Sequence, residues 1–211
     1  MNENRPTILI MSGLSGSGKS TVVTLLKERC RDCHFAVSCT TRPKRGDPNE
    51  RYRFLSREEF EARIRDGYFW ESAVYNGNYY GTPKEEIRGN RTVVEINTEG
   101  RRRLMETDLR KTHRMVSAFL MAPSAEELFQ RLEDRRSKTG ESLESIKSRL
   151  MTSVKELNDI SLYDAVIVNY DKNETAAMFA HLLEGGATKG NAADIDIDTY
   201  QKELLRIAEG L

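Results

Sequence analysis

The chain has 211 residues, a length that suits one domain, or one domain with a small insert. Its 33 lysines and arginines balance 33 aspartates and glutamates, and zero formal net charge argues against a broad nucleic-acid or membrane-binding surface. No apolar run approaches the roughly 20 residues that span a bilayer, and the N-terminal sequence has no signal-peptide pattern. Together with three cysteines, an odd number, these features predict a globular cytoplasmic protein with reduced thiols.

A glycine-rich segment near the N-terminus carries the first functional signal. A buried strand is predicted at Thr7–Met11 and a helix from Thr21 to about Lys27, with a loop between them. The loop fits the phosphate-binding pattern G-x-x-x-x-G-K-[ST], in which backbone N–H groups and the helix N-terminus form a cradle for anions. The predicted nucleotide-binding residues are Gly13, Ser15, Gly16, Ser17, Gly18, Lys19, Ser20 and Thr21.

Two side chains at the end of this loop have specific expected tasks. Lys19 can reach the β- and γ-phosphates of the nucleotide, and the Ser20 hydroxyl can ligate Mg²⁺, the predicted cofactor. Farther along, Cys30 and Cys33 form a C-x-x-C motif without a second ligand pair. They are therefore predicted to be ordinary cysteines at a helix end rather than a zinc site.

The next third of the chain predicts a small inserted sheet. Ser56 followed by Glu59 is a capping box that starts a helix, and Asn76-Gly77 between β-prone runs is a hairpin signal. The predicted elements are a strand over HFAVSC within His34–Thr41, a basic turn at Thr40–Arg45, a strand at Tyr52–Leu55, a helix at Ser56–Asp66, the hairpin at Tyr68–Thr82 and a short helix at Lys84–Arg88.

Strands and helices alternate through the rest of the chain. Strands are predicted at Thr92–Ile96, Arg114–Met121 and Ala165–Val168. Helices are predicted at Gly100 to about Thr107, Ser124 to about Lys138, Ser142 to about Ile160, Glu174–Leu183 and Thr199–Ala208. The alternation predicts an α/β fold with a parallel sheet that helices cover on both faces.

Side chains of the insert point to a second, phosphorylated substrate. Arg42 and Arg45, three residues apart and near Ser38, can both donate hydrogen bonds to one phosphate. The alternative is an exposed basic loop, which would have the same sequence pattern. Tyr52 and Tyr80 can donate phenolic hydrogen bonds to that phosphate, with hydrophobic packing as the alternative.

A carboxylate and a hydroxyl in the hairpin suggest what else that substrate carries. Glu71 can accept two N–H hydrogen bonds from the edge of a guanine, and Thr82 can serve as a neighbouring partner. The alternative for Glu71 is a solvated side chain on a hairpin. The residues alone leave both possibilities open.

The runs VSCTTRPKR, FWESAVYNGNYYGT and YDAVIVN resemble guanylate kinase, and the resemblance extends from about Thr7 to Leu183. It implies a phosphate-loop core sheet, a small mixed α/β insert for GMP at about 35–90, and a helical lid over ATP at about 126–160. Residues 1–184 would form this domain, and 185–211 a linker with a C-terminal helix. The implied reaction transfers the γ-phosphoryl group of MgATP to GMP.

The resemblance also implies residue roles by matching position. The catalytic residues would be Lys19, Arg42, Arg131 and Arg149. Beyond the loop, ATP would be bound by Arg135 and Asn169. GMP would be bound by Ser38, Arg42, Arg45, Tyr52, Glu71, Tyr80, Thr82, Glu95 and Asn97. The chain departs from the family pattern at Glu95-Ile96-Asn97, where Asp-Ile-Asp is usual, and its loops before Tyr52 and after Thr82 are shorter than usual.

Two other readings of the sequence stay open at this stage. One is a kinase of a different phosphorylated acceptor, such as a phosphorylated sugar. Glu71 and Thr82 argue against it, because a sugar has no base edge for them to bind. The other is a non-catalytic guanylate kinase-like binding module, against which the intact phosphate loop speaks. The expected partners are ATP and GMP, and the expected state is a monomer or a homodimer.

Overall fold

The computed structural model of the chain describes residues 5–44, 51–75 and 77–211. They form two compact units, each with its own buried apolar cluster. The first unit contains the described residues up to Ser12, Lys27–Ser117 and Leu182–Gly186; the second contains Gly13–Leu26, Ala118–His181 and Ala187–Leu211. None of the described helices has the length and apolar character needed to cross a membrane.

Strands and helices alternate along most of the chain, as the sequence predicts. The strands are β1 (Thr7–Gly13), β2 (His34–Phe35), β3 (Ser38–Thr40), β4 (Tyr52–Phe54), β5 (Phe69–Tyr75), β6 (Asn78–Pro83), β7 (Arg91–Glu95), β8 (Arg114–Met121) and β9 (Ala165–Val168). The helices are α1 (Lys19–Arg29), α2 (Arg57–Arg65), α3 (Thr98–Met105), α4 (Leu109–Thr112), α5 (Ala125–Thr139), α6 (Leu143–Leu157), α7 (Lys172–Leu183) and α8 (Ile197–Glu209). Short 3-10 helices lie at Lys84–Glu86 and Ile160–Leu162.

The first unit contains parallel strands and a separate four-stranded sheet. β7 pairs in parallel with β1 on one side and with β2 on the other. Ile8 and Ile10 of β1, Val94 of β7 and Leu104 of α3 are fully buried in one cluster. The four-stranded sheet has the order β4-β3-β6-β5 and mixes parallel and antiparallel pairs, as expected for the predicted insert.

The second unit is built around β8 and β9, which pair in parallel with Ala118 opposite Ala165. α5, α6 and α8 share one buried cluster there, to which Leu132, Leu150 and Leu204 contribute one fully buried side chain each. The C-terminal helix α8 is also tied by hydrogen bonds to the two helices predicted to form the lid. The Tyr200 hydroxyl donates to the Ser124 carbonyl at 3.0 Å, and Gln201 Nε2 donates to the Val154 carbonyl at 2.7 Å.

Several local predictions are confirmed. β8 and β9 have the predicted bounds, and Ser56 with Glu59 forms both hydrogen bonds of a capping box at the start of α2. The hairpin is present as β5 and β6, although Asn76 of its turn lies outside the described residues. Gly77 has a φ of 74°, the left-handed conformation that glycine adopts without strain.

Other predicted boundaries were wrong for identifiable reasons. The run HFAVSC is not one strand, because β2 pairs with β7 whereas β3 joins the four-stranded sheet. α1 begins at Lys19, directly after Gly18 and two residues before the predicted start. α3 begins at Thr98 because the Asn97 side chain accepts from the Gly100 N–H and caps the helix. The short α4 was not predicted.

Candidate active site

The phosphate loop of the second unit joins β1 to α1 and packs closely against its neighbours. Gly16 and Gly18 have φ values of 92° and 94°, where a side chain would be strained. A Cβ atom at Gly18 would lie 2.5 Å from Asn169 Nδ2, so the loop also has no room for one. The sequence therefore folds here into a backbone turn that leads directly to the N-terminus of α1, which attracts anions.

Lys19 lies in the first turn of α1, where its side chain folds back over the loop. Lys19 Nζ donates to the carbonyls of Gly13 and Leu14, the latter at 2.9 Å. Ser20 follows as an exposed residue of the same turn, and Thr21 lines a cavity of about 370 Å³ beside the loop. The ammonium group and the helix N-terminus place positive charge where the sequence predicts the phosphates.

Arg131, on α5, donates three hydrogen bonds, one of them to the phosphate loop. Arg131 Nη1 donates to the Ser17 carbonyl at 3.2 Å, and Nη2 donates to Glu127 at 2.6 Å and to the Asn169 carbonyl at 3.3 Å. The guanidinium of this predicted catalytic residue thus lies beside the loop, at the cavity that Gly18 and Thr21 also line.

Arg135 and Arg149 come from two different helices and meet at one carboxylate. Glu141, in the turn between α5 and α6, accepts from Arg135 Nη2 at 3.0 Å and from Arg149 Nε at 2.7 Å. Burial opposes the charge of Glu141, but hydrogen bonds from Ser145 and Arg149 hold its pKa at about 2. Arg149 Nη1 also donates to Ser15 Oγ at 3.3 Å, which connects the pair to the loop.

Sequence reasoning did not single out Glu141 or Glu127. Glu127 lies four residues before Arg131, a spacing at which side chains meet on a helix, so this ion pair could have been predicted from the sequence. Glu141 follows Gly140, the left-handed end of α5, and only the packing of α5 and α6 brings it to both arginines.

Asn169 follows β9 and helps to hold the loop in place. Its Nδ2 donates to the Ser17 carbonyl at 2.9 Å, and its Oδ1 accepts from the Thr175 hydroxyl at 3.1 Å. Asn169 also lines the cavity beside the loop, together with the exposed Tyr170. Its expected position near the adenine stays a prediction.

In the first unit, the predicted phosphate-binding side chains come from adjacent strands. Ser38 of β3 lies opposite Tyr52 of β4, and Thr40 lies opposite Tyr80 of β6. The rings of Tyr52 and Tyr80 meet edge to face with centroids 5.8 Å apart, and the Arg42 guanidinium lies 5.5 Å from the Tyr52 ring centroid. The structure thus brings these side chains together, whereas Arg45 lies outside the described residues.

Glu71 and Thr82 face each other across β5 and β6, and both are buried. Thr82 Oγ1 donates to Glu71 Oε1 at 2.7 Å. Burial raises the pKa of Glu71 to about 7, in spite of hydrogen bonds from Thr82 and the nearby charge of Arg103. Glu71 lines a cavity of about 250 Å³ with Trp70 and Arg103, a size that suits a small heterocycle rather than a drug-sized ligand.

Glu95 and Asn97 lie at the carboxyl end of β7, where Glu95 is in register with Met11. Asn97 Oδ1 accepts from the Gly100 N–H at 2.8 Å, so this amide has a structural task. A Cβ at Gly100 would lie 3.0 Å from Glu71 Oε2 and 3.2 Å from Asn97 Oδ1, which places both side chains around the same glycine.

The capping contact of Asn97 predicts how stability changes when the aspartate that is usual in the family replaces this asparagine. Aspartate and asparagine cap helices about equally well, so Asn97→Asp is expected to change the free energy of unfolding by less than about 0.5 kcal/mol. Asn97→Ala should cost about 1 kcal/mol because it removes the acceptor of the Gly100 N–H. Urea denaturation of the three chains measures both effects, and equal losses for aspartate and alanine would contradict the capping role.

Cys30, Cys33 and Cys39 are free thiols, and burial raises the pKa of Cys33 to about 12. A thiol with so high a pKa is a poor nucleophile at neutral pH. Within the described ranges, no three His, Cys, Asp or Glu side chains form a group that could hold a metal ion.

Comparisons with known proteins agree with this arrangement. The family model for guanylate kinase matches residues 4–185. The guanylate kinase of Rubrobacter xylanophilus is 37% identical over 86% of this chain and 97% of its own length, and that of Symbiobacterium thermophilum is 38% identical over 97% of this chain and 98% of its own length. A crystal structure of guanylate kinase from Anaplasma phagocytophilum superposes with a TM-score of 0.67, at 31% identity and 86% coverage of both chains. These matches confirm the predicted resemblance and the predicted α/β fold, and the chain belongs to the guanylate kinase family.

Proposed function

We propose that this chain transfers the γ-phosphoryl group of MgATP to GMP, giving ADP and GDP. The observation that carries the proposal is the buried pair of Glu71 and Thr82 beside a small cavity, in a chain of this family that keeps an intact phosphate loop. The pair offers two carboxylate oxygens and a hydroxyl to the edge of a guanine, whereas a sugar phosphate has no N–H edge to donate to the Glu71 carboxylate.

The protein has little covalent chemistry to perform in phosphoryl transfer. Most of the proposed mechanism therefore consists of holding positive charge next to the phosphates. The Lys19 ammonium, with Arg131 and Arg149, is proposed to stabilise the negative charge of the transferring group. Arg42 is proposed to bind the GMP phosphate and to reduce its repulsion from ATP. Both tasks require only positioned cations.

Magnesium is expected to accompany ATP. The residues present fit it, because Ser20 is exposed in the first turn of α1 beside Lys19, where its hydroxyl can be one ligand and phosphate oxygens and waters the others. When bound, Mg²⁺ would neutralise charge on the β- and γ-phosphates. The free cysteines suit a reducing compartment, so we expect the enzyme to act in the cytoplasm.

An acceptor panel tests the proposed function. ADP release from MgATP should be measured with GMP, AMP, UMP and a hexose phosphate at equal concentrations. We expect GMP to exceed each of the others by at least about 10²-fold in kcat/KM, because the others cannot donate the pair of N–H bonds that guanine offers to the Glu71 carboxylate. Equal rates with all four acceptors would overturn the proposal, and so would the absence of any ADP release above the rate of ATP hydrolysis.

The ionisation of Glu71 predicts a pH dependence of GMP binding. The pKa of Glu71 lies near 7 because the carboxyl is buried, and only its ionised form can accept two N–H bonds from guanine. The Kd for GMP is therefore expected to rise about tenfold from pH 8 to pH 6. The GMP phosphate itself titrates near pH 6 and adds its own pH dependence to the Kd. The same titrations with Glu71→Gln measure that contribution, which is then subtracted. Identical pH profiles for both chains would contradict this role of Glu71.

A further inference from the structure

The cavity beside the phosphate loop extends to the turn that follows β9. Gly18 and Thr21 line it from the loop and the start of α1, and Tyr170, Asp171 and Lys172 line it from the turn. All of these residues belong to the second unit, so the cavity is formed within one compact body. Its volume of about 370 Å³ falls within the range of small-molecule sites, so a nucleotide held at the loop has room there for more than its phosphates.

The Tyr170 ring lies at this cavity with little contact to the rest of the protein. The residue is 61% exposed, and its side chain forms no hydrogen bond, ring contact or ion pair with any residue that the structure describes. Tyr163 and Tyr200 of the same unit are instead buried in its apolar cluster. An aromatic ring left in water contributes little burial, so packing inside the protein does not explain this side chain.

The backbone that carries Tyr170 is held in place on both sides. The Asn169 N–H donates to the carbonyl of Met121, the last residue of β8, at 2.9 Å. Asp171 Oδ1 accepts from two backbone N–H groups in the first turn of α7, at 2.7 and 2.9 Å. A ring on such a turn is presented at a defined place, which lowers the entropy cost of binding a ligand against it.

The side chain of Asn169, which the sequence predicts to lie near the adenine, is engaged by the protein itself. Its Nδ2 donates to the Ser17 carbonyl at 2.9 Å, and its Oδ1 accepts from the Thr175 hydroxyl at 3.1 Å. The residue is also buried. This amide could turn to the edge of a base only by losing both hydrogen bonds, whereas the exposed ring of the next residue can meet the face of a base without any such loss.

We propose that the Tyr170 ring stacks on the base of the triphosphate donor. The proposal rests on the proposed function, because it takes ATP as the nucleotide whose phosphates occupy the loop. Every base has a flat π-face, so this contact adds affinity for any nucleoside triphosphate, and it adds most for a purine, which has the larger ring system. Tyr170 thus binds the donor, and the charged groups at the loop perform the transfer.

Calorimetric titration with three ligands tests the proposal: MgATP, MgUTP and magnesium tripolyphosphate, which has the three phosphates but no base. For the natural chain we expect the Kd to rise in that order. Loss of a base-stacking ring weakens binding by about 5- to 150-fold. Tyr170→Ala is therefore expected to raise the Kd for MgATP by about tenfold or more and to leave the Kd for tripolyphosphate within about twofold.

Matched variants separate stacking from a structural effect. Tyr170→Phe keeps the ring and removes the hydroxyl, so it should bind MgATP like the natural chain. Tyr170→Trp should show fluorescence that MgATP quenches and tripolyphosphate does not, beyond any change of Trp70 measured in the natural chain. Leu162→Ala shortens a half-exposed apolar side chain that does not line this cavity, and it should leave all three Kd values unchanged.

Three results would overturn the proposal: equal affinity of the natural chain for MgATP and tripolyphosphate, equal increases of both Kd values in Tyr170→Ala, or MgATP binding by Tyr170→Phe as weak as that by Tyr170→Ala. The first of these needs no variant, so a misfolded variant would not protect the proposal. If MgATP did not bind, or if GMP were not phosphorylated, the proposed function itself would fail. Phosphorylation of GMP with no contribution of the base to ATP binding would remove only the role of Tyr170.

Discussion

Replacing Lys19 with methionine is expected to lower kcat by about 10³-fold while the chain remains folded. Methionine keeps most of the length and apolar volume of the side chain but removes the ammonium group. In the structure, that group donates to the Gly13 and Leu14 carbonyls of the loop and is partly buried outside the apolar cluster, so its loss should leave the core of the second unit intact. The measurement is single-turnover phosphoryl transfer with saturating MgATP and GMP, together with a thermal melt.

The matched control for this change is Lys202→Met on α8, which removes an exposed lysine outside the phosphate loop. We expect its kcat to stay within about twofold of the natural value, as is usual for surface substitutions. A Lys19→Met chain that retained a tenth or more of the natural rate would show that the loop lysine does not stabilise the transferring group. A large fall in melting temperature would instead reveal a structural role.

Replacing Glu71 with glutamine is expected to raise the KM for GMP by about 10²-fold and to leave the KM for ATP within about twofold. Glutamine can still accept from Thr82, but its amide nitrogen replaces one of the two acceptor oxygens and the charge is lost. A hydrogen bond to a charged group is worth about 1.5–3 kcal/mol, which corresponds to this change in affinity.

Initial rates over a grid of both substrates separate the two constants. Glu58→Gln in the exposed first turn of α2 is the control, and it should leave both KM values unchanged. Equal increases in the KM for ATP and for GMP would contradict the assignment of Glu71 to the guanine. The same would be true of a Glu71→Gln chain that phosphorylates GMP with an unchanged KM.

Local signals in the sequence were sufficient for much of this fold. The phosphate loop depends on backbone freedom at fixed spacing, so its glycines and lysine could be recognised without tertiary information. The Ser56 cap of α2 and the strand Ala165–Val168 are also local, and the structure agrees with both. Of the leucines in α6, Leu150 and Leu157 are buried as apolar residues of a helix usually are, but Leu143, which begins the helix, is 45% exposed.

What could not be predicted depends on contacts between distant segments. The run at His34–Thr40 is uniformly β-prone, and nothing in it shows that Ala36 bonds to Val93 while Ser38 already pairs with Tyr52 in another sheet. Glu141 is one of many charged residues in or next to helices with a clear apolar pattern. Only the packing of α5 and α6 reveals that its carboxylate joins two arginines.

The shared cluster of α5, α6 and α8 has a practical consequence for measuring movement of these helices. Because Tyr200, Leu204 and Ala208 are buried among the residues of the two arginine-bearing helices, any displacement of those helices has to carry the C-terminus along. A fluorophore attached at the exposed Leu211 would report such a displacement, although Leu211 lines neither the cavity beside Glu71 nor the cavity beside the phosphate loop. The tail thus offers a site for an optical reporter of helix movement.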